Sequence, residues 1–194
     1  TSHGLQPFDP KTRTFTGLEN LHADVKMFRQ NRILTVTKDR DGRLWVGSYL
    51  DGLYVLDKKR GITAHFRHDP NDLNSLSSNS IRAILFDRSG AVWLGMSNAG
   101  VNRMVRKQQK FKNYRPEVQE TARTAINSVT ALAESTYGHL WVGTEYSGIQ
   151  VFDARSGILQ QAGQRFPTLD SFRNRYVMDV CESRDGNLWV ATNS

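Results

Sequence analysis

The chain has 194 residues, of which 38% are hydrophobic and 23% are charged, and its formal net charge at pH 7 is +7. Such a composition is typical of a soluble folded protein, and the apolar runs are far shorter than the ~20 residues that cross a bilayer. The single cysteine, Cys181, excludes an internal disulfide, and we expect it to be a buried structural thiol.

The first residues predict part of a structural unit. Residues 4–9 align with residues 52–57 at the 48-residue step, with Gly-Leu at the start and Asp at the end of both, and the later segment is the third strand of a predicted four-stranded unit. We therefore assign strands three and four of one unit to residues 4–32. This arrangement predicts that the sequence is an internal piece of a longer chain.

Residues 33–80 predict one complete unit. Short β-branched and aromatic runs at 33–38, 43–48, 53–56 and 62–67 are separated by turns that contain glycine and aspartate. This pattern predicts an antiparallel meander, and the polar run 68–79 is then the linker to the next unit. Four strands and a linker are typical of one β-propeller blade.

The same unit recurs along the rest of the chain. The tryptophans lie 48 residues apart, and each follows a turn glycine by three residues, which gives the structural repeat residues Trp45, Trp93, Trp141, Trp189, Gly42, Gly90, Gly138 and Gly186. A fixed period of this length indicates a propeller or a solenoid, and glycine at every turn excludes a helical solenoid. We predict an all-β propeller of about four four-stranded blades, part of a larger propeller, as a single domain over residues 1–194. Its further blade parts are residues 81–128, 129–176 and 177–194, the last holding strands one and two.

The two ends of the predicted array complement each other, because residues 177–194 supply strands one and two and residues 4–32 supply strands three and four. Two arrangements are open. The ends join and close a four-bladed ring, or the chain is a segment of a larger ring whose strand edges pair with another chain.

The repeating residues have structural roles in this prediction. A tryptophan on the second strand offers a large surface for packing between blades. The glycine or alanine two residues later lets the next blade approach closely, and the turn glycine accepts a positive φ.

Positive charge is spread along the chain and is densest at residues 103–115, over the third and fourth strands of one blade. Those strands are peripheral in a propeller, so we interpret the charge as a solvated outer edge. Aromatic residues do not alternate with it as they do in proteins that bind single strands, and we predict no nucleic-acid partner.

The motifs around the four tryptophans resemble the two-component regulator propeller repeat. The resemblance rests on residues 39–48, 87–96, 135–144 and 183–192, with further marks at Gly52-Leu53, Phe8-Asp9, Phe152-Asp153 and the linker 69–79. It covers nearly the whole chain. The departures are Ala191 in place of a glycine, and a third strand at 101–104 that is polar in its middle.

This resemblance implies the extracytoplasmic input domain of a hybrid sensor kinase or of a membrane-anchored diguanylate cyclase. Such a domain is the periplasmic part of an inner-membrane protein, performs no chemistry itself and binds a small-molecule ligand, often an oligosaccharide. It also implies self-association through the parent protein, or through the exposed propeller edges.

The sequence contains no recognisable catalytic or metal-binding motif. The five histidines are scattered, and His65 and His68 lie three apart on a strand, where side chains point to opposite faces. We expect no catalytic residue, no metal and no cofactor.

A ligand site is predicted where the repeat is broken, on the side of the disc that carries the turns between strands two and three and the blade-to-blade linkers. Tyrosine and arginine there suit sugars or acidic sugars. The candidate residues are Arg32, Tyr49, Asp51, Asn98, Arg123, Glu145, Tyr146, Arg175 and Tyr176. A propeller enzyme of lyase or glycosidase type and a protein interaction platform remain alternatives. Catalytic side chains around the axis would favour the enzyme, whereas an axis lined by Ile, Val and Ala would count against it.

Overall fold

The computed structural model describes residues 4–16, 28, 31–105, 110–114 and 128–193. Strands in this part of the chain form three four-stranded antiparallel sheets and two two-stranded ones. We name the four-stranded sheets blade A, blade B and blade C. The two-stranded sheets are the first and the last half-blade.

The strand bounds follow the repeat. The first half-blade consists of β1 (Phe8–Asp9) and β2 (Thr14–Phe15), and the last one of β15 (Val177–Glu182) and β16 (Leu188–Thr192). Blade A comprises β3 (Ile33–Lys38), β4 (Leu44–Ser48), β5 (Leu53–Asp57) and β6 (Gly61–Phe66). Blade B comprises β7 (Ile81–Phe86), β8 (Val92–Met96), β9 (Val101–Val105) and β10 (Lys110–Tyr114). Blade C comprises β11 (Val129–Glu134), β12 (His139–Thr144), β13 (Ile149–Asp153) and β14 (Ile158–Gln161).

Each blade is a meander, and successive blades meet along their first strands. Within a blade, sequence neighbours pair in the order of the chain, and β3, β7, β11 and β15 lie next to one another. The first strands are therefore innermost, and the described residues of the basic segment, 103–105 and 110–114, lie on the two outer strands of blade B. This arrangement confirms the predicted propeller of four-stranded blades.

The turn between the first two strands is held by one carboxylate. Asp39 accepts hydrogen bonds from the backbone N–H of Asp41 and Arg43 and, at 3.0 Å, from the indole Nε1–H of Trp45. Gly42 completes the turn with a φ of +82°, a conformation that costs any other residue steric strain. Asp87 bonds Trp93 in the same way at 2.8 Å. The predicted aspartate–glycine turn is confirmed in both blades.

Blades A, B and C each bury their tryptophan against the neighbouring blade. Trp45, Trp93 and Trp141 are only 4%, 2% and 5% exposed. The glycine two residues after each Trp is where the next blade comes closest: a Cβ on Gly95 would lie 2.5 Å from Val129 Cγ1. One on Gly143 would lie 2.7 Å from Val177 Cγ1. In these three blades the tryptophan and the glycine of the motif therefore lie at the contact between adjacent blades.

The polar middle of β9, which departs from the family pattern, has a structural explanation. Asn102 is fully buried and bonds both the backbone N–H and the hydroxyl of Ser77 in the preceding linker. The guanidinium of Arg103 lies 5.3 Å from the ring centroid of Trp93. Both side chains therefore stabilise the blade that contains them.

One segment differs from the predicted plan. The linker after blade C contains a short α-helix, α1 (Ala162–Arg165), and a 3₁₀ helix (Pro167–Phe172). Phe166 between them packs on Trp141 with ring centroids 5.2 Å apart. The helical turns thus cover the outer side of blade C.

The last half-blade corrects two predictions. Cys181 is exposed, and Trp189 is 68% exposed although it carries the same motif as the buried tryptophans. The physical reason is that, among the described residues, no further blade packs on this half-blade. β1–β2 and β15–β16 are separate sheets in the described part of the chain, so its ends do not join into one blade there. Membership of a larger ring stays a prediction.

Candidate ligand-binding cleft

An open cleft of about 830 Å³ lies on the linker face, which we define as the side with the turns between strands two and three. Turns of blades A, B and C surround it. Its lining residues are Tyr49, Leu50, His68, Ser77, Ser78, Asn79, Ser80, Arg82, Ser97, Asn98, Ala99, Ser128, Glu145 and Tyr146. The opposite side, with the aspartate–glycine turns, is the hairpin face.

A repeating backbone presents non-repeating side chains to this cleft. Tyr49, Ser97 and Glu145 occupy equivalent positions in blades A, B and C. Their backbone N–H groups donate to the carbonyls of Arg32, Ser80 and Ser128, at 2.8, 2.9 and 3.0 Å respectively. The fold therefore fixes the place of each side chain and leaves its chemistry free to differ.

Arg82, the second residue of β7, lines the cleft and links blade B to blade C and to Tyr176, which precedes the last half-blade. Its Nε donates to Ser97 Oγ at 2.8 Å, which is a short, well-made hydrogen bond. Its two other nitrogens make longer contacts, both at 3.5 Å: Nη2 with Glu145 Oε2, and Nη1 with the hydroxyl of Tyr176. One side of the guanidinium is thus anchored, and the other is only loosely engaged.

Glu145 and Tyr146 form the acidic wall of the cleft. Ser128 Oγ donates to Glu145 Oε2 at 2.8 Å, and the phenol of Tyr146 donates to Glu145 Oε1 at 3.1 Å. The bond to the carboxylate raises the pKa of Tyr146, so this phenol remains protonated at neutral pH. Its ring is exposed and available for stacking.

The blade A wall combines an aromatic ring with strained backbone. The guanidinium of Arg32 lies 4.9 Å from the ring centroid of Tyr49, which orients the ring on the rim. Leu50 follows with a φ of +112°, and its N–H donates to the carbonyl of Asn79. A leucine rarely adopts this conformation, and such strain concentrates at functional sites. Across the cleft, Asn98 also has a positive φ, of +56°.

The structure brings together most of the predicted site residues. Tyr49, Asn98, Glu145 and Tyr146 line the cleft, while Arg32 and Tyr176 contact its lining. Two other candidates bond residues outside the cleft lining. Asp51 accepts bonds from Asn31 and Tyr54 within blade A, and Arg175 bonds the carbonyl of Ser171. Arg123 lies outside the described residues.

The sequence prediction missed Arg82 and His68. Arg82 takes a place that Leu34, Thr130 and Met178 take in the other units, so a comparison of first strands would have marked it. His68 enters the cleft from the linker, where its Nδ1 lies 2.6 Å from the carbonyl of Leu76. Asn79 accepts a hydrogen bond from the His68 backbone N–H and also lines the cleft.

The described residues contain no group of three or more His, Cys, Asp or Glu side chains placed to hold a metal ion. Likewise, no helix in the described part of the chain is long and apolar enough to cross a membrane.

Comparison with known proteins matches the repeats to one family. The two-component regulator propeller model matches residues 27–50, 75–98, 125–146 and 171–194. No curated protein sequence matches the chain.

Solved structures share the fold. The extracellular domain of the hybrid two-component system BT3049 from B. thetaiotaomicron superposes with a TM-score of 0.65 at 24% identity, over 90% of this chain and 23% of its own length. That of BT4673 from the same organism gives 0.67 at 20% identity, over 99% and 25%. Virginiamycin B lyase from Staphylococcus aureus gives 0.61 at 15% identity, over 84% and 50%. The chain spans about a quarter of the length of the two B. thetaiotaomicron domains.

Proposed function

Since this chain is built from two-component regulator propeller repeats, we propose that it is the ligand-sensing input domain of a bacterial signalling protein, located outside the cytoplasm. The B. thetaiotaomicron structures that share its fold are extracellular domains of hybrid two-component systems, which supports this assignment. The observation that carries the proposal is the cleft, where a repeated backbone displays a different side chain from each blade.

The cleft chemistry favours an acidic oligosaccharide as the ligand. Tyr49 and Tyr146 are 40% and 54% exposed, so two aromatic faces can stack on sugar rings at opposite walls. Between them, Asn98 and several serines offer hydrogen-bond donors and acceptors for hydroxyl groups. A polar, open cleft with aromatic walls suits a hydrated chain better than a compact apolar molecule.

Arg82 is the residue that would select a carboxylate. Its bond to Ser97 holds the guanidinium in place, and its contacts with Glu145 and Tyr176 are long enough to be exchanged. A guanidinium binds a carboxylate through two parallel hydrogen bonds, which is stronger and more directional than a single contact. A uronic acid can therefore replace the loose partners of Arg82.

One position on the innermost strands is aliphatic in all four units, which favours binding over catalysis at that position. Val36, Ile84, Leu132 and Val180 occupy equivalent positions on β3, β7, β11 and β15. Aliphatic residues in this place supply no acid, base or nucleophile. The similarity to the lyase is therefore a similarity of fold, and we do not extend the lyase reaction to this chain.

A thermal-shift titration with trigalacturonate and maltotriose tests the proposal. Trigalacturonate at 100 times its dissociation constant stabilises the folded chain by about 2.7 kcal/mol, and maltotriose stabilises it less. Arg82→Leu, which introduces the residue of blade A, abolishes the preference for the acidic sugar. Arg175→Leu, on the same face but outside the cleft lining, is the matched control and retains it. The same preference for trigalacturonate over maltotriose in both variants would contradict the proposal, and so would the absence of stabilisation of the unsubstituted chain by either sugar.

A further inference from the structure

His139 is a buried histidine whose ring has no hydrogen-bond partner. It is the first residue of β12 and is only 3% exposed, and neither Nδ1 nor Nε2 bonds a group in the described part of the chain. A buried polar group without a partner carries the full cost of its removal from water. Native proteins keep few such groups, so this ring calls for a reason besides packing.

The sequence repeat explains why a partner is missing. The equivalent residue in blade A is Arg43, whose Nε lies 2.9 Å from the carboxylate of Asp39 in the same turn. In blade C the aspartate is replaced by Ser135, whose backbone N–H donates to the carbonyl of His139 at 2.8 Å. Blade C therefore retains the turn but lacks the carboxylate that would bond the side chain.

Aromatic rings surround the imidazole. The ring centroid of Trp141 is 4.7 Å away, that of Phe166 is 5.8 Å away, and the ring of Tyr137 stacks nearly parallel at 6.4 Å. Aromatic faces attract a cation, but they do not replace the hydrogen bonds that both N–H groups of an imidazolium make in water. These surroundings therefore suit the neutral form of the ring.

Three charged side chains face the imidazole from the elements packed around it. Arg165 of α1 opposes a positive charge on the ring, whereas Glu182 of β15 and Asp153 of β13 favour one. Both carboxylates already accept other hydrogen bonds, Glu182 from Trp141 and Asp153 from the backbone of its own turn. Burial, and after it Arg165, lowers the pKa of His139 from its ordinary value of 6.5.

The element that covers His139 is held weakly. We name residues 162–175, which include α1 and the 3₁₀ helix, the cover segment. Its helices have only four and six residues, and apart from Ala162 its residues are exposed or half-buried. Ala162 and Phe166 pack in the apolar cluster that contains Trp141. An element with short helices and few buried side chains opens locally at a low cost in free energy.

The far end of the cover segment holds a turn of the ligand cleft. The N–H of Gly148 donates to the carbonyl of Arg175 at 3.1 Å, and a Cβ on this glycine would lie 2.0 Å from the carbonyl oxygen of Phe172. Gly148 ends the turn that carries Glu145 and Tyr146. Opening of the cover segment would therefore also loosen the acidic wall of the cleft.

We propose that protonation of His139 in mild acid releases the cover segment from blade C, so that this blade acts as an acid-sensitive switch. The charged ring gains hydrogen bonds to water only when Phe166 moves away, so protonation favours the open form. Because the pKa in the closed form is lowered, the closed form is most stable above about pH 6.5 and loses stability as the pH falls below that value. The switch does not depend on the proposed ligand.

Amide hydrogen exchange of the unsubstituted chain measures the opening once it is corrected for the intrinsic rate at each pH. Protection of the Phe166 and Gly148 amides should fall by up to about tenfold for each pH unit below about 6.5. The Gly52 amide is the matched control, since it donates to the carbonyl of Asn79 at 2.8 Å at the same repeat position in blade A, and its protection should not change. Equal losses at Gly52 and Gly148, or no loss at Gly148, would overturn the proposal.

Two variants separate the titration of His139 from general effects of acid. His139→Phe keeps an aromatic ring in place but cannot be protonated, so the loss of protection below about pH 6.5 should disappear. His65→Phe replaces a histidine of blade A whose Nε2 lies 2.7 Å from the carbonyl oxygen of Asp51, and the loss should remain. The imidazole proton resonances of the unsubstituted chain need no variant, and His139 should be protonated in step with the loss at Gly148. A loss that persists in His139→Phe, or that occurs without protonation of His139, would overturn the proposal.

Discussion

The junctions between complete blades and the surface of the last half-blade share one sequence motif but differ in structure. Trp93 is 2% exposed because blade C covers it, whereas Trp189 is 68% exposed on a strand of the same length. The motif therefore specifies the strand and the direction of the side chain. Burial depends on the next blade, as expected for repeat proteins whose stability is a sum over nearest neighbours.

The same comparison applies to the hydrogen bonds of the indole group. In blades A and B the indole N–H bonds an aspartate of its own turn, but in blade C that position is Ser135. Trp141 instead donates to Glu182 of the last half-blade at 2.5 Å. Blade C thus depends on its neighbour for packing and for its indole hydrogen bond.

The largest expected effect comes from removing a covered tryptophan. Trp93→Ala should lower the free energy of unfolding by about 3–5 kcal/mol, because it leaves a cavity between blades B and C. Trp189→Ala should change it by less than about 0.5 kcal/mol, since that side chain is exposed in the single chain. Urea unfolding at low protein concentration measures both. Equal losses would show that burial does not distinguish the two positions.

A smaller loss is expected where two blades approach most closely. Gly95→Ala puts a methyl group against Val129 Cγ1 and should cost about 1–3 kcal/mol through overpacking. Val129→Ala removes the opposing methyl groups. The double variant should therefore lose less free energy of unfolding than the two single variants lose together. Additive losses in a double-mutant cycle would argue against contact at this junction.

Acid should weaken the junction between blade C and the last half-blade. Burial acts to raise the pKa of Glu182, but hydrogen bonds from Thr136 and Trp141 outweigh it and lower the pKa from 4.5 to about 2. Its contribution, on the order of 1 kcal/mol after solvent screening, is complete above the unfolded pKa and is lost as the pH falls from about 4.5 to 2. Glu182→Gln should flatten this part of the stability profile. An unchanged slope would contradict the assignment.

Only a small change in stability is expected from a substitution in the ligand cleft. Arg82→Leu exchanges a partly exposed guanidinium for an aliphatic residue that blade A already carries at this position, so unfolding should change by less than about 1 kcal/mol. Loss of acidic-sugar binding by this variant would therefore come from the missing guanidinium. A loss of several kcal/mol would instead make Arg82 a structural residue of the junction.

Much of the fold could be predicted from the sequence because its signals are local. The turn glycines, the period of the tryptophans and the β-branched runs located the strands of blade A to within about a residue of their observed bounds. The helical turns after blade C had a weaker signal, since elements of four to six residues have little periodicity. Pro167 lies at the start of the 3₁₀ helix, and a proline is a sequence feature that favours the first position of a helix.

The site and the exposed surface were harder to predict because they depend on neighbouring blades. Tyr49 and Glu145 were found by asking which turn residues do not repeat, but Arg82 lies on a strand and was overlooked. The buried environment expected for Cys181 was wrong because an apolar neighbour in sequence does not supply a covering blade. Asp51 was a plausible ligand residue by position, yet its carboxylate bonds Asn31 and Tyr54 within blade A.

We propose that the repeating residues build the fold and that the non-repeating residues of the linker face bind the ligand. Hydrogen exchange with and without trigalacturonate tests it most directly, because amides in both kinds of turn are observed together. We expect slower exchange at the linker-face turns 96–100 and 144–148, and no change at the hairpin turns 87–90 and 135–138. Protection at the hairpin turns, or spread evenly over both faces, would contradict it.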